Sequence, residues 1–484
     1  MKASDGDHRR LRGDPAFAVV LTVRADTQDE AMSSLDFLEP GWGVAAVSAG
    51  LASGSQQLLV QVDDEPALRR LRQAASRHRR IVSCVDRLWA MSAGGPVRVQ
   101  PRDPARPAED LAFLYTRGAG RLAAAIAAHP DTAAEVTGRP NRVAVISDGS
   151  AVLGMGNVGP AAVLPLLEAK AALYAQIADI DAMPLCVNTG HVHGTDSLVA
   201  TIRAVAPTFG AVNLTGFASP ACRDLERRLR IALDVPVFHD EQHAIPVVVL
   251  AALRNALRVA GKDLHTARIV VLGAGVTGSA VTRLLLHAGA RDVTVCTGQT
   301  IVGPDLDRLP EHTAWLAGLT NPRRLHGGPE QAIAGADAVV GLNTAVRLDQ
   351  RVVGTMKSPP VVFALAGPPP AVGPTAVTAT CHPDHPNHLT GLLAFPGIVR
   401  GLLNARAPRI TTTMLLAAAD VLAGWVGEDA LGPHRLLPDV LDPRLVSTVA
   451  AAVAAVEASR RRAQPAEPIG EPETVPESNA RTAD

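Results

Sequence analysis

Hydrophobic and polar positions between residues 16 and 91 fall into short runs whose period switches between two and 3.6. "AFAVVLTV" has the β-branched character of a strand, and "QDEAMSSLDFL" has helical spacing. "GVAAVSAG" and "QQLLVQV" form a strand pair, "PALRRLRQAASRH" an amphipathic helix, and "RIVSCVDRLW" a closing strand. That βαββαβ order predicts a ferredoxin-like module over 16–93, preceded by a flexible stretch 1–15. The polar, proline-bearing stretch that follows reads as a linker, 94–107. Strands and helices then alternate to about residue 400, which predicts α/β architecture in two parts, 108–245 and 246–410. A helical region, 411–457, comes next. The remainder, 458–484, is rich in Pro, Glu and Ser and has almost nothing to bury, so disorder is expected there.

At 484 residues the chain can bury sizeable cores in about three units. Its formal net charge of −1 supplies no global field toward nucleic acid or anionic lipid, so small molecules and other protein chains, including further copies of itself, are the expected partners. The five cysteines lie far apart without a C-x-x-C pair, which argues against a disulfide framework and a zinc ribbon and suits a reducing cytoplasm. The N-terminus lacks the apolar stretch of a signal peptide. Apolar runs near 244–253 and 448–455 are broken by charge before the roughly 20 residues that a bilayer requires, so no membrane association is expected.

Chemistry is concentrated at a few places. "RIVVLGAGVTG" sets Gly273, Gly275 and Gly278 between an apolar strand and a helix, where a dinucleotide's pyrophosphate can rest on the helix N-terminus. The next strand ends at Thr297, where an acid would hold the ribose 2′-hydroxyl, so NAD and NADP both stay open. "VFHDEQHAIPVVVLAALRNAL" places Asp240 and Glu241 at a strand end ahead of an apolar helix; Asp240 there either serves a site or caps that helix. Lys170 stands in the apolar helix "LPLLEAKAALYAQI", either paired in the interior or snorkelling to the surface. "CHPDHPNH" offers Cys381, His382, His385 and His388 to a metal, but its prolines favour a plain loop; His191 and His193 in "HVHGTD" read as solvent-exposed.

Together with "LAFLYTRG", "SDGSAVLGMGNVGPAAVLPLLEAKAALY", "APTFGAVNL", "GADAVVGLN", "VVFALAGPPP" and "LLAFPGIVRG", these stretches resemble the bacterial-type malic enzymes over roughly residues 108–457. The 16–93 module is similar to ACT domains, which implies either an amino-acid-like effector or a dimerisation role. The resemblance implies a malic-enzyme-type catalytic domain, a Rossmann NAD(P)-binding domain, and oxidative decarboxylation of malate or a related 2-hydroxy acid to pyruvate and CO₂. It implies Lys170 as base, Tyr115 of "LYTRG" as acid, Asp240 as the lysine's carboxylate, and Glu241 as one ligand of a divalent metal, Mg²⁺ or Mn²⁺.

The sequence departs from that pattern at telling positions. The family's Glu–Asp pair after "NL" is Thr215 and Gly216, its third metal carboxylate is Glu241 instead of Asp, and its substrate asparagines are Gly367, Thr390 and Gly391. Neither Thr nor Gly brings a charge to a hard cation, so the expected metal site is damaged. These changes give the alternative of a catalytically degenerate paralogue that binds nucleotide as a regulatory or assembly protein.

Overall fold

The computed structural model describes residues 14–47, 54–101, 115–152, 155–188, 194–304, 311–344, 346–367, 369–370 and 372–463. The chain divides into two compact units, Met1–Pro101 and Arg102–Asp484.

In the first unit β1 (Asp14–Val23), α1 (Gln28–Ser33), β2 (Gly43–Val47), β3 (Gln56–Val62), α2 (Glu65–Arg77) and β4 (Ile81–Asp86) make an antiparallel sheet ordered β2-β3-β1-β4. This is the ferredoxin-like topology that the alternating pattern predicts. Val19, Leu21 and Val23 of β1 and Leu58, Val60 and Val62 of β3 share the buried face by period-two alternation, and Leu68 and Leu71 of α2 pack against them. One expectation is corrected. "RIVSCVDRLW" does not end as a strand, because Asp86 Oδ1 accepts from Leu88 N at 3.0 Å and Trp89 N at 3.3 Å, and so caps α3 (Arg87–Ser92).

The second unit opens with α4 (Thr116–Ala128). It continues through β5 (Arg142–Ser147), α5 (Pro160–Ala178), β6 (Asp181–Cys186), α6 (Thr195–Val205), β7 (Ala211–Leu214), α7 (Ala221–Ala232) and β8 (Val237–His239). Its first sheet is wholly parallel, ordered β6-β5-β7-β8. A π-helical turn, Asp240–Ala244, then separates β8 from α8 (Ile245–Val259), where the hydrophobic pattern predicts that the helix follows directly. Composition and length would let α5 cross a bilayer, but Val163, Leu167, Ala171 and Tyr174 are buried along one side against the sheet, as in a core helix.

The second sheet is ordered β11-β10-β9-β12-β13-β14, with β9 (Arg268–Leu272), β10 (Asp292–Thr297), β12 (Ala338–Gly341), β13 (Val361–Ala364) and β14 (Val377–Thr380) parallel; β11 (Thr300–Ile301) is an antiparallel edge. The chain leaves β9 through α9 (Val276–His287) to β10 on one side, and β12 lies on the other. The carboxyl end of β9 is therefore a topological switch point, where such sheets bind ligands. Three helices complete the unit: α10 (Phe395–Asn404), α11 (Thr412–Gly424) and α12 (Leu445–Ala463). Gly401 lets α12 close on α10, since a Cβ there would meet Ala450 O at 2.7 Å. Helix α12 runs past the expected boundary at 457: buried Glu457 accepts from Arg460 at 2.8 Å and Arg461 at 3.0 Å, giving the polar segment a reason to stay helical. The rest of the expected tail lies outside the described residues.

Candidate active site

Helix α5 carries Lys170 and, one turn later, Tyr174 on the same face. Lys170 Nζ pairs with Asp240 Oδ2, and both side chains are largely withdrawn from water, 12% and 20% exposed. The other Asp240 oxygen accepts from Asn213 Nδ2 at 3.3 Å, and Asn213 Oδ1 accepts from the Tyr174 hydroxyl at 2.8 Å. Lys170 Nζ also lies 4.3 Å from the Phe395 ring centroid, so α10 contributes an aromatic wall to the site. Both Asp240 oxygens are thus spent on side chains, and the helix-capping alternative falls away. Burial, together with the Asp240 charge, pushes the Tyr174 phenol well above its ordinary value, which keeps it protonated as a donor to Asn213.

Tyr115 is not brought to this cluster. It precedes α4, makes no side-chain cap bond, and is 74% exposed. Tyr174, Asn213 and Phe395 are the network members that sequence reasoning missed. Tyr174, one of only two tyrosines and four residues after Lys170, carried the signal, because i,i+4 residues share a helix face. Asn213 and Phe395 come from other elements, and no local pattern joins them to the lysine.

Glu241 faces another neighbour. Its Oε2 lies 3.0 Å from Nδ1 of buried His239 as an ion pair. Burial alone would lower His239, but contacts with Cys222 and Glu241 outweigh it and hold the imidazole above its ordinary value. The next histidine behaves oppositely. His243 Nδ1 accepts the His239 N–H at 2.9 Å, and burial, joined by the charges of His239, Arg230 and Arg283, lowers it to about 3.

The divalent metal does not fit this donor set. Thr215 and Gly216 present no carboxylate, and Glu241 is engaged by His239. Gly216 has φ +67°, and a Cβ there would lie 2.9 Å from Ser147 Oγ, so the backbone itself is shaped for a residue without a side chain. Among the described residues no group of three or more His, Cys, Asp or Glu is arranged to hold an ion. The loop at 381–388 follows suit: Cys381 Sγ donates to Leu365 O, while His385 accepts from Asn387 N at 3.1 Å. His191 and His193 lie outside the described residues. At the substrate-side positions Gly367 has φ +80°, Thr390 Oγ1 accepts from Leu392 N at 3.3 Å, and Gly391 sits against Ala244 of the π turn.

The dinucleotide turn does fit its ligand. Gly273 leaves β9 at φ +121°, Gly275 caps α9, and a Cβ on Gly278 would stand 1.7 Å from Gly273 O, so only hydrogen permits that close helix–strand approach. At Gly275 a Cβ would meet nothing within 4 Å, and this open ground faces the free N–H groups of the first turn of α9. Thr297 is exposed at the end of β10, with neither a carboxylate nor a guanidinium at that position. Helix α9 also packs against the π turn, which brings the nucleotide-binding helix beside the element that carries Asp240.

Known proteins match along this same stretch. The family model described as malic enzyme, N-terminal domain, matches residues 106–230, and that described as malic enzyme, NAD binding domain, matches 377–458. The NAD-dependent malic enzyme of Geobacillus stearothermophilus is 39% identical, covering 79% of this chain and 80% of its own length. The bifunctional malic/malolactic enzyme of Bacillus subtilis is 37% identical, covering 74% and 89%. Among solved structures the NAD-dependent malic enzyme of Thermotoga maritima superposes with a TM-score of 0.72 at 36% identity, over 76% of this chain and 99% of that one. The malic enzyme of Pyrococcus horikoshii gives 0.71 at 35% identity, over 76% and 88%. Agreement of this extent, held in sequence and in backbone over most of each chain compared, reflects common descent, and the chain belongs to the malic enzyme family.

Proposed function

We propose that the chain is an NAD(P)-dependent oxidoreductase that oxidises malate or a related 2-hydroxy acid, with loss of CO₂ to give pyruvate. The observation that carries this reading is the withdrawn Lys170–Asp240 pair on the turn that packs against α9. A nicotinamide dinucleotide held at the glycine turn after β9 would supply the acceptor for the substrate's hydride. Gly273, Gly275 and Gly278 with the first turn of α9 would hold its pyrophosphate. As hydride leaves carbon, Lys170 in its amine form takes the hydroxyl proton at Nζ and becomes the ammonium that Asp240 balances, while Asn213 and Tyr174 keep Asp240 oriented. Loss of CO₂ from the resulting keto acid leaves its electron pair on the former carbonyl oxygen. A protonated Lys170 is the group positioned to stabilise that enolate, and no step runs through a metal. The family resemblance names Tyr115 as the acid that returns a proton to carbon, but Tyr115 stands exposed and apart from this cluster, so that proton is drawn from water instead.

Purified chain with malate and either NAD or NADP should form reduced nicotinamide and pyruvate. Dinucleotide binding without turnover on malate or other 2-hydroxy acids would overturn the proposal, and would instead make the protein a nucleotide-binding paralogue.

A further inference from the structure

The π turn has a second face. Gln242 and His243 line a cavity of about 310 Å³ to which neither Lys170 nor Asp240 contributes. Three guanidinium groups enter it from three different elements: Arg230 of α7, Arg283 of α9, and Arg409 from the segment before α11. Glu226 is the single carboxylate among the lining residues. Arg409 donates to Arg230 O at 2.9 Å, and Arg283 rests 5.0 Å from the Trp315 ring, so these two cations are held in place by other contacts. Arg230 Nη1 stays 3.7 Å from Glu226 Oε1, too far for a hydrogen bond. Two polar atoms in the cavity wall are buried without a hydrogen-bond partner: Gln242 Nε2, a donor, and Oε1 of Glu226, whose residue is only 5% exposed.

Three cations around one acid repel each other at low effective dielectric, and a buried amide donor without an acceptor costs free energy; one multivalent anion relieves both. We propose that this cavity binds a small dianion, a phosphate group or a dicarboxylate, with Arg230, Arg283 and Arg409 as cationic contacts and Gln242 Nε2 as the neutral donor. The site is separate from the pyrophosphate cradle. Arg283 lies eight residues along α9 from Gly275, about 12 Å at the helical rise. Because Gln242 and His243 share a five-residue turn with Asp240, occupancy also bears on the geometry of the Lys170 pair.

The test is calorimetric titration of the full chain with inorganic phosphate and, separately, with succinate, at constant ionic strength set with sodium chloride. At least one should bind saturably, and which one does identifies the source of the dianion. Arg409→Gln, an exposed position, should weaken that binding at least tenfold. Glu226→Gln, which removes the only negative charge, should tighten it several-fold. NAD binding should be unchanged in both variants. The opposite signs separate a site from a folding defect, which would weaken binding in both. No binding of either probe beyond the chloride control, equal affinity in Arg409→Gln and the natural chain, or weaker binding in Glu226→Gln would each overturn the proposal.

Discussion

Replacing Lys170 by Met leaves the Asp240 carboxylate with Asn213 as its one side-chain donor; replacing Asp240 by Asn leaves the ammonium against the Phe395 ring. Removing one member of a buried pair costs about 3–5 kcal/mol, and the residual exposure of 12% and 20% places each single variant near the lower limit, about 3 kcal/mol. The double variant Lys170→Met with Asp240→Asn removes both charges and strands neither. Its loss should be about 1 kcal/mol, against about 6 kcal/mol if the two effects simply added. Chemical denaturation of the full chain, fitted transition by transition because it holds two compact units, reads these values. Malate-dependent nicotinamide reduction should fall by about 10²–10⁴-fold in Lys170→Met and stay lost in the double variant, because stability and proton transfer are different uses of the same pair. Additive stability losses, or full turnover in Lys170→Met, would refute the reasoning.

Three further outcomes follow from the same geometry. Gly275→Ala, where a Cβ has open space, should leave stability unchanged and weaken dinucleotide binding, whereas Gly278→Ala, whose Cβ would strike Gly273 O, should lose both; binding titrations and denaturation distinguish them. Turnover should be unaffected by a chelator or by added Mn²⁺, because Thr215 and Gly216 provide no ligands and Glu241 pairs with His239; a several-fold fall on chelation would contradict this. His243, lowered to about 3 in the fold, contributes stability that is fully present above its unfolded value near 6.5 and is lost as pH falls toward 3. Between pH 6 and 4 the natural chain should lose up to about 1.4 kcal/mol per pH unit more than His243→Gln, and parallel pH profiles would exclude that role.

Local pattern was most reliable where burial has a simple period. The alternating faces of β1 and β3 and the glycine turn after β9 could be read directly, because side-chain alternation and the steric needs of glycine are properties of a few consecutive residues. It failed where a single side chain decides an ending: Asp86 stops β4 and starts α3, and the Glu457 cluster carries α12 to Ala463. The π turn was invisible for a similar reason, since an extra residue per turn leaves the hydrophobic run of α8 intact.

The sequence by itself determined the element order, the dinucleotide fingerprint, and the loss of carboxylates at Thr215 and Gly216, all of which depend on which residue stands where. Only the tertiary structure decided which groups meet. It set the Lys170–Asp240 pair, which the family resemblance had implied, among Asn213, Tyr174 and Phe395, gave Glu241 to His239, and left Tyr115 in solvent. Contacts between residues dozens of positions apart depend on how helices close over sheet ends, and no periodicity along the chain encodes that closure.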